Sequence, residues 1–456
     1  MEVLGVEREM VYPCVPGPLK LLELSNNDQV MPRTYAEFLF FFSGEKREEE
    51  EEAEEDDDDD HHHGVMSFMD STQLKLSLSK TLSEFYVLAG RLKKRPNGGV
   101  DVDCNNMGVV FVEARTHSSL DHLDGFQPHP SFRLLVADAE VQFGDKDFSE
   151  MPLLLAQVTR FKCGGVALGL RVHHHVIDGA AFSYFVTSWA EISRGQQISV
   201  PPTLDRSAMK ARNPPTPQFE HIEYSIINID PASLYPAGGF PAMAAATFDF
   251  SSKDVKCLKT QAELSTEDGI SFTRFEILAG HLWRSITKAR GIDPSKDLKF
   301  GLAVDGRSRF NPPLPNGYFG NVNFYGSAQS NAGELLSKPL SHAARCVHDA
   351  ITRMTDDYLR SALDFVEVQE SPLFVQPSFK CFLGSDLAIS SWTWFPCYDV
   401  DYGWGKPVFF GVPVSAFDGL VILLPSPEGN GAVKALIGLR TDHLRSLQAD
   451  PQFHPV

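Results

Sequence analysis

One short run of the sequence carries side chains that could do acid–base chemistry: the histidines of HHHVIDG at residues 173–179. An imidazole has an unperturbed pKa of about 6.5, so it can take up and return a proton near neutral pH. His174 and Asp178 are four residues apart, a spacing that permits a direct Asp–His pair on a helix. A tight turn would equally aim Asp178 away, toward a basic partner that fixes the loop. In both arrangements His174 is the candidate general base, unless the three histidines are only structural.

The sequence around this run indicates which elements position it. Residues 151–172 form two apolar stretches, which predict a buried β-hairpin in which Gly165 assists the turn. In residues 182–192 the apolar side chains follow helical spacing. The histidines therefore lie at a strand-to-helix junction, where side chains can face a crevice. We expect His173 and His175 to have structural roles.

A second motif, DYGWGKP at residues 401–407, contains no plausible nucleophile or base. Its glycines permit backbone conformations that a Cβ would hinder, and its aromatic side chains call for a packed environment. We expect a rigid loop beside a strand, with direct substrate contact as the less favoured alternative. The residues assigned to this structural support are Asp401, Gly403, Trp404 and Gly405.

The chain has 456 residues, of which 43% are hydrophobic and 22% charged, the composition of a folded protein. This length exceeds that of an ordinary single core, so two domains are expected. Proline-rich residues 201–219 indicate an extended crossover between an N-terminal domain (1–200) and a C-terminal domain (220–456). Both halves mix helix and strand patterns, which predicts an α/β fold. The expected helices are residues 71–88, 251–262, 275–289 and 342–365, and the expected strands include residues 34–42, 299–304, 407–410, 420–424 and 433–438.

Negative charge is concentrated in one segment, residues 45–63, which holds thirteen of the 60 acidic residues and three adjacent histidines. Such a run cannot bury apolar surface and repels itself, so we expect a disordered surface loop between a strand and a helix. Its histidines could bind a metal, but a solvated segment is the favoured interpretation. The formal net charge of −19 argues against a nucleic-acid or anionic-lipid partner, because both require clustered Lys and Arg.

Other features of the sequence bear on the cellular context. No stretch approaches the ~18 consecutive apolar residues that span a membrane, and the N-terminus lacks a secretory pattern. The seven cysteines are scattered without a CxxC pair, which argues against a disulfide framework and a zinc site. We therefore expect a cytoplasmic monomer with no metal and no permanently bound cofactor.

The two motifs, in this order, resemble those of the plant BAHD acyltransferase family, which is defined by HxxxD and DFGWG. The first is His174…Asp178, and the second is DYGWG, in which Tyr402 replaces phenylalanine. The resemblance covers nearly the whole chain, and local similarity is greatest to members that act as hydroxycinnamoyl-CoA transferases. The further family-like passages are LAGRL (88–92), DRSAMKARNPP (205–215), EILAGHLW (276–283), DGRSRFNPPLPNGYFGN (305–321) and SSWTW (390–394).

The resemblance implies two chloramphenicol-acetyltransferase-like domains with mixed sheets and an active-site channel at their interface. Acyl-CoA would be the co-substrate, and a small-molecule alcohol or amine would be the acceptor. His174 would act as general base without a covalent intermediate, while Asp178 would turn away and pair with Arg307. Thr273 and Asp305 are the residues assigned to contacts with CoA.

The resemblance also implies a set of oxyanion and acceptor-side positions: Trp392, Ser390, Ala36, Phe38 and Phe40. The indole N–H of Trp392 would stabilise the tetrahedral oxyanion. The three early-strand residues stand where shikimate and quinate enzymes of the family carry Thr, Ser and Tyr. Residues 374–378 also lack the arginine that those enzymes use for the acceptor carboxylate. We therefore expect a less polar alcohol, phenol or amine as acceptor, and shikimate as a poor one.

Two other classes of protein fit part of the sequence. Condensation domains of peptide synthetases share the pattern HHxxxDG, here His173-His174 followed by Asp178-Gly179, and use a carrier-bound donor. DYGWG and the absence of an attached carrier module disfavour that class. A non-catalytic binding protein with the same fold is the other alternative, and the intact His174 and Asp178 disfavour it.

Overall fold

Two six-stranded mixed sheets organise the described part of the chain. The computed structural model describes residues 1–44, 68–138, 148–227, 242–265, 269–379, 384–413 and 417–454. The strands are β1 (Leu4–Val11), β2 (Lys20–Leu22), β3 (Tyr35–Phe42), β4 (Arg91–Lys94), β5 (Val100–Cys104), β6 (Val109–Thr116), β7 (Leu154–Phe161), β8 (Val166–His173), β9 (Tyr224–Ile226), β10 (Met243–Phe250), β11 (Asp297–Asp305), β12 (Asn323–Asn331), β13 (Val375–Pro377), β14 (Leu387–Ser391), β15 (Phe409–Gly411), β16 (Leu420–Pro425) and β17 (Val433–Arg440). The helices are α1 (Asn26–Gln29), α2 (Ser71–Glu84), α3 (Gly179–Ser193), α4 (Ser252–Leu264), α5 (Arg274–Ala289), α6 (Ala332–Ser337), α7 (Leu340–Thr352), α8 (Asp356–Glu367) and α9 (Thr441–Gln448).

The first sheet has the strand order β1-β6-β7-β8-β3-β15, in which only β6 and β7 run parallel. Its strand β3 reads YAEFLFFF because both faces are covered, and a strand buried on two faces needs a continuous apolar run. Phe38 and Phe40 enter the core shared with α2 and α3, while Leu39 and Phe41 enter a smaller core on the other face. This sheet places the carboxyl end of β8, and with it the histidines, beside β3.

The second sheet has the order β10-β17-β16-β14-β11-β12, with β14 parallel to both of its neighbours. Helices α5 and α7 pack against each other and contribute Leu282, Trp283 and Val347 to the core of this half. Helix α5 begins at a capping box in which Thr273 and Glu276 satisfy each other's backbone N–H groups.

The two sheets do not follow the two halves of the sequence strictly. Strand β15, from the second half, pairs antiparallel with β3 and closes one edge of the first sheet. Ile422 and Leu436, from the second sheet, also pack into the core of the first half. The division into residues 1–200 and 220–456 remains a prediction, and any such boundary has to accommodate this exchanged strand.

The short helix α1 joins the two halves through polar side chains. Asn26 Nδ2 donates to the carbonyl of Leu363 at 2.9 Å, and Gln29 Nε2 donates to the carbonyl of Val100 at 2.6 Å. The crossover is also held in place, because Arg212 Nε lies 2.6 Å from Asp364 Oδ2. Residues 201–219 therefore lie against the second half through specific polar contacts.

Most of the predicted elements are confirmed, with several corrections. The helix expected over 342–365 is two helices, α7 and α8, because Thr355 accepts a hydrogen bond from the N–H of Tyr358 and caps a new helix. The helix expected over 71–88 ends at Glu84 and continues as a 3₁₀ turn. In the β7–β8 hairpin Gly164 rather than Gly165 has a positive φ, of 84°.

The predicted strand at 407–410 begins two residues later, as β15, and belongs to the first sheet. The acidic residues 45–63 lie outside the described residues, so the expectation for them stays a prediction. No helix in the described ranges is long and apolar enough to cross a membrane.

Candidate active site

The histidine run lies at the junction between β8 and α3, as the sequence predicts. The N–H of His173 donates to the carbonyl of Leu153 at 2.9 Å, which is the last pairing of the strand. The N–H of His174 then donates to the carbonyl of Thr34 at 3.0 Å, immediately before β3. Asp178 is the N-cap of α3, and its Oδ1 accepts the N–H of Ala181 at 2.9 Å. A four-residue turn therefore carries His174 between a strand and a helix.

The three histidines differ in exposure. His173 and His175 are each 1% exposed, whereas His174 between them is partly exposed. Burial, together with the charges of His174 and Arg33, lowers the pKa of His173 to about 3. Burial likewise holds the pKa of His175 well below its usual value. The outer two imidazoles are therefore neutral packing groups at neutral pH, and of the three only His174 can meet a substrate.

His174 is a weaker base than a free imidazole. Burial lowers its pKa, while its own backbone carbonyl and the negative charge of Asp178 act in the opposite direction. Its Nδ1 is buried and has no hydrogen-bond partner among the described residues. The depressed pKa keeps the imidazole unprotonated at neutral pH, the state that a general base requires.

Asp178 is turned toward Arg307 in a two-pronged ion pair. Arg307 Nη1 lies 2.9 Å from Asp178 Oδ2, and Nη2 lies 2.9 Å from Oδ1. The N–H groups of Ala181 and Val322 complete the shell of the carboxylate at 2.9 and 2.8 Å. Burial alone would raise the pKa of Asp178, but the charge and hydrogen bonds of Arg307 outweigh it and hold the pKa below its usual value.

A buried polar chain behind His174 is the part of the site that the sequence analysis did not single out. Asn321 Nδ2 donates to the carbonyl of His174 at 2.9 Å and to Asp28 Oδ1 at 2.8 Å. Arg206 Nη1 lies 2.6 Å from Asp28 Oδ2, and its Nη2 donates to the carbonyl of Val176 at 2.7 Å. Arg206 and Asn321 fall in the family-like passages 205–215 and 305–321. This position in the sequence is the feature that could have pointed to them.

The early-strand positions form an apolar wall beside the start of α3. The Phe38 ring stacks on Phe182 with centroids 3.6 Å apart, and Phe40 lies against Phe410 at 4.9 Å. Both rings are buried, whereas Ala36 is partly exposed at the end of the strand nearest the histidines. The surface that β3 leaves accessible near the histidines is therefore centred on Ala36, with the two phenylalanines behind it.

Trp392 follows β14 and lies beside this wall. Its ring centroid is 5.2 Å from that of Phe38, and its Nε1 donates to Ser390 Oγ at 3.0 Å. Gly179 makes room for this corner, since a Cβ there would lie 2.8 Å from the ring of Phe395 and 3.9 Å from Trp392 Nε1. The indole N–H thus lies near the start of α3 and donates its hydrogen bond to Ser390. To bind an oxyanion, Trp392 would have to give up this hydrogen bond.

The two residues assigned to CoA lie in different places. Asp305 ends β11, and its Oδ1 lies 3.1 Å from Arg307 Nη1, so it belongs to the cluster around Asp178. Thr273 instead caps α5, where its Oγ1 accepts the N–H of Glu276 at 3.3 Å. The structure brings Asp305 into the candidate site and gives Thr273 a local capping contact.

The segment 374–378 lacks an arginine, but a lysine from another strand lies beside it. Its strand β13 pairs with β9, and Lys299 Nζ lies 2.9 Å from Ser378 Oγ and 3.2 Å from the carbonyl of Ile222. The lysine comes from β11, 79 residues earlier in the chain. A reading of the local sequence could not place it there.

The DYGWG loop packs against the far end of α3. Asp401 Oδ1 accepts the N–H groups of Gly403 and Gly405 at 2.7 and 2.9 Å, and both glycines have positive φ, 110° and 105°. Ser193 Oγ donates to the carbonyl of Tyr402 at 2.8 Å, Arg194 donates to the carbonyl of Asp401, and Trp404 packs against the same core. The loop runs directly into β15, so it ties α3 to the edge of the first sheet.

No group of three or more His, Cys, Asp or Glu side chains in the described ranges could hold a metal ion. The candidate site therefore consists of one accessible imidazole, a buried ion pair and a buried amide chain, all at the junction of the two halves. Such a site can move a proton and orient a nucleophile.

Comparisons with known proteins show what the fold and the sequence resemble. The fold matches the crystal structure of F. graminearum TRI101 complexed with coenzyme A and T-2 mycotoxin, with a TM-score of 0.78, 18% identity and coverage of 95% of this chain and 98% of the other. That likeness confirms the predicted fold class, an α/β fold with two mixed sheets.

The family follows from the sequence comparisons. Residues 1–454 match the model of the Transferase family. The chain is 36% identical over 450 residues to shikimate O-hydroxycinnamoyltransferase of Nicotiana tabacum, with 98% of each chain covered. It is 36% identical over 451 residues to hydroxycinnamoyl-CoA:5-hydroxyanthranilate N-hydroxycinnamoyltransferase HHT4 of Avena sativa, with 97% of this chain and 98% of the relative covered. The chain therefore belongs to this family, the BAHD acyltransferases, and is an acyltransferase.

The Asp178–Arg307 pair generates a prediction on stability and activity together. Asp178→Asn should lower the free energy of unfolding by about 3–5 kcal/mol, because it leaves Arg307 without its buried counter-ion. Turnover should fall with it, since the turn that carries His174 loses its anchor. Thermal unfolding and steady-state kinetics of the purified variant would check both.

Asp305→Asn is the control for Asp178→Asn, because Asp305 also contacts Arg307 but is far more exposed than Asp178. The Asp305→Asn substitution should therefore lower the free energy of unfolding by less. The pH dependence gives a second readout. The ionised Asp178 contributes to the free energy of unfolding. This contribution is complete above the unfolded-state pKa of about 3.9 and is lost as the pH falls through the lower folded-state pKa. Loss of activity with an unchanged unfolding temperature would instead show that Asp178 acts in the chemistry.

A substitution at Tyr402 is predicted to increase stability, in contrast to Asp178→Asn. Its side chain is buried between Phe42 and Trp189, and its hydroxyl has no hydrogen-bond partner among the described residues. Tyr402→Phe should therefore raise the free energy of unfolding by about 1 kcal/mol. Tyr358→Phe is the matched control and should lower it, because the buried Tyr358 hydroxyl donates to Glu223 at 2.7 Å. A destabilised Tyr402→Phe protein in denaturant unfolding would mean that the hydroxyl has a partner.

Proposed function

We propose that this acyltransferase moves an aromatic acyl group, of the hydroxycinnamoyl class, from CoA to a hydroxyl or amine of a small acceptor. The observation that carries the proposal is His174, the one partly exposed imidazole of its run, at the junction of the two halves. The names of the relatives support the donor, since those from Nicotiana tabacum and Avena sativa are both hydroxycinnamoyltransferases. The TRI101 complex with coenzyme A supports acyl-CoA as the co-substrate.

In the proposed reaction His174 Nε2 removes the proton from the acceptor as its oxygen or nitrogen attacks the thioester carbonyl. The new bond forms while the carbonyl electrons move onto oxygen, which gives a tetrahedral oxyanion. Trp392 is the proposed donor to that oxyanion. When the C–S bond breaks, protonated His174 returns its proton to the CoA thiolate, so the enzyme ends unchanged. The roles of Thr273 and Asp305 in holding CoA belong to the same proposal.

We further infer that the enzyme is cytoplasmic and monomeric and that it needs no permanently bound cofactor. The scattered cysteines support a reducing compartment. A carrier-bound donor or a non-catalytic role is not favoured by the comparisons.

The test of the catalytic proposal is His174→Ala with an aromatic acyl-CoA. Turnover should fall by roughly two to four orders of magnitude, the usual contribution of a general base. His348→Ala is the matched control, because His348 is a partly exposed histidine that pairs with Glu276 on α5. It should turn over at the wild-type rate. A His174→Ala protein that folds and retains near-normal turnover would remove the assignment.

The acceptor we favour is a weakly polar alcohol, phenol or amine. Ala36 and the apolar wall behind it offer no hydrogen bond to a polyhydroxylated ring, and each hydroxyl buried without a partner costs about 1–3 kcal/mol. An apolar ring placed there gains ~25 cal/mol for each Å² removed from water.

One observation favours a second acceptor class, an aromatic amine or alcohol that carries a carboxylate. Arg33 is partly buried, burial lowers its pKa, and it has no hydrogen bond or ion pair with any described residue. It directly precedes Thr34, whose carbonyl accepts the N–H of His174. An unpaired guanidinium is well suited to bind a carboxylate. The Avena sativa relative is named for such an acceptor, 5-hydroxyanthranilate.

A panel of acceptors with coumaroyl-CoA as donor separates these possibilities. Aromatic alcohols or amines should exceed shikimate in kcat/KM by at least roughly tenfold, since about 1.4 kcal/mol gives that ratio. The pair aniline and anthranilate tests Arg33, because Arg33→Gln should reduce kcat/KM for anthranilate and leave that for aniline unchanged if the guanidinium binds the carboxylate. Efficient acylation of shikimate or quinate by the wild-type protein would overturn the preference for weakly polar acceptors.

A further inference from the structure

Trp394 is the most exposed tryptophan of the chain. All five tryptophans lie in the described ranges: Trp189 and Trp283 are fully buried, Trp392 and Trp404 are partly exposed, and Trp394 is 56% exposed. An indole buries a large apolar area and is normally well covered in a folded protein. Single exposed apolar residues are common, so exposure alone assigns no role to Trp394. Its fixed backbone and its aromatic neighbours distinguish it from such residues.

A tight turn after β14 presents Trp394. The N–H of Trp392 donates to the carbonyl of Leu423 at 2.7 Å, which extends the pairing of β14 with β16. The N–H of Phe395 then donates to the carbonyl of Trp392 at 3.0 Å, which closes a β-turn with Trp394 at its third position. Pro396 further restricts the backbone of Phe395. Because the turn is fixed at both ends, binding a ring against the indole requires little further ordering of the chain.

Trp394 is the outer end of a row of aromatic rings that begins in the core. The ring of Phe38 stacks on Phe182 in the first turn of α3, and it lies 5.2 Å from the ring of Trp392. The ring of Trp392 is 6.2 Å from that of Phe395, and the two planes are 23° apart. Trp394 lies edge-on to Phe395, with centroids 4.6 Å apart. The row therefore continues the apolar wall of β3 outward to the surface.

The row passes the end of α3 that follows the histidine turn. A Cβ at Gly179, one residue after Asp178, would lie 2.8 Å from the ring of Phe395. Further along the same segment, the DYGWG loop contacts Ser193 at the opposite end of α3. Trp394 therefore lies at the end of the segment nearest the histidine turn, where the row of rings meets water.

We propose that Trp394 is a specificity-determining residue that packs against the aromatic ring of the acceptor, so that the acceptor is an aromatic rather than an aliphatic alcohol or amine. The inference rests on the proposed function, because it assigns a contact to the acceptor of the same reaction. The apolar wall that the row continues, with Ala36 at its accessible end, is the wall that would face this acceptor. Aromatic rings in offset-stacked or edge-to-face contact attract each other beyond the burial of their apolar surface. A saturated ring of the same size would gain the burial without that additional attraction.

The test compares two matched acceptors with coumaroyl-CoA as donor and the full-length enzyme. Benzyl alcohol and cyclohexylmethanol have the same carbon skeleton and differ in the aromaticity of the ring, and the corresponding amines serve if only amines are acylated. Trp394→Leu keeps an apolar side chain, and it should lower the ratio of kcat/KM for the aromatic over the saturated acceptor by roughly two- to tenfold. Trp394→Phe keeps a ring and should retain most of the wild-type ratio. Both variants should keep the wild-type KM for coumaroyl-CoA.

Phe219→Leu is the matched control, because Phe219 is an exposed aromatic residue (43%) whose ring lies 5.3 Å from that of Tyr358 on α8. It should keep the wild-type ratio. An unchanged ratio in Trp394→Leu, or a change only in the KM for coumaroyl-CoA, would overturn the inference and leave the proposed function standing. Transfer to neither an alcohol nor an amine in the whole acceptor panel would remove the proposed function and the inference with it.

Discussion

The carboxylate of Asp178 is the point on which the geometry of the site depends. Its oxygens receive two N–H groups of Arg307 and the backbone N–H groups of Ala181 and Val322, all within 2.9 Å. These donors come from α3 and from the loop between β11 and β12, so one anion fixes the start of a helix in the first half against a loop of the second. The position of the turn that carries His174 therefore depends on the contact between the halves. A carboxylate committed in this way stabilises the turn and is not available to polarise the imidazole.

The contact between the halves is built from exchanged elements as well as from charges. Strand β15 completes the first sheet, α1 inserts polar side chains into the second half, and the DYGWG loop fastens the end of α3. Each exchange restricts sliding of one half against the other. Movements at such a junction would break buried hydrogen bonds that are costly to leave unmade, so the two halves resist displacement against each other.

Local chemistry made much of this site predictable from the sequence. The strand-to-helix junction, the buried hairpin of β7 and β8, and the helices α4 and α5 follow from apolar periodicity and capping residues, which act over a few positions. Asp28 and Asn321 were not predicted as site residues, because their bond joins positions 293 residues apart and neither has a distinctive local pattern. The same reason hid Lys299 beside Ser378 and the pairing of β15 with β3. No local pattern indicated that Arg33 lacks a hydrogen-bond partner among the described residues.

With His174 as the proposed general base, the electrostatic balance around its partly exposed imidazole accounts for both proton transfers of the proposed cycle. Burial favours the neutral imidazole, which suits the first step, the removal of a proton from the acceptor. The imidazolium that forms would be costly in the same surroundings, but the negative charges of Asp178 and Asp28 offset part of that cost without touching the ring. A thiol has an unperturbed pKa of about 8.5, so the departing CoA thiolate is a stronger base than this imidazole and takes the proton back. A base with a depressed pKa thus suits a leaving group that must be protonated. A carboxylate bonded directly to Nδ1 would raise the pKa of His174, and the imidazole would then retain the proton. Carboxylates at a distance stabilise the imidazolium without that effect.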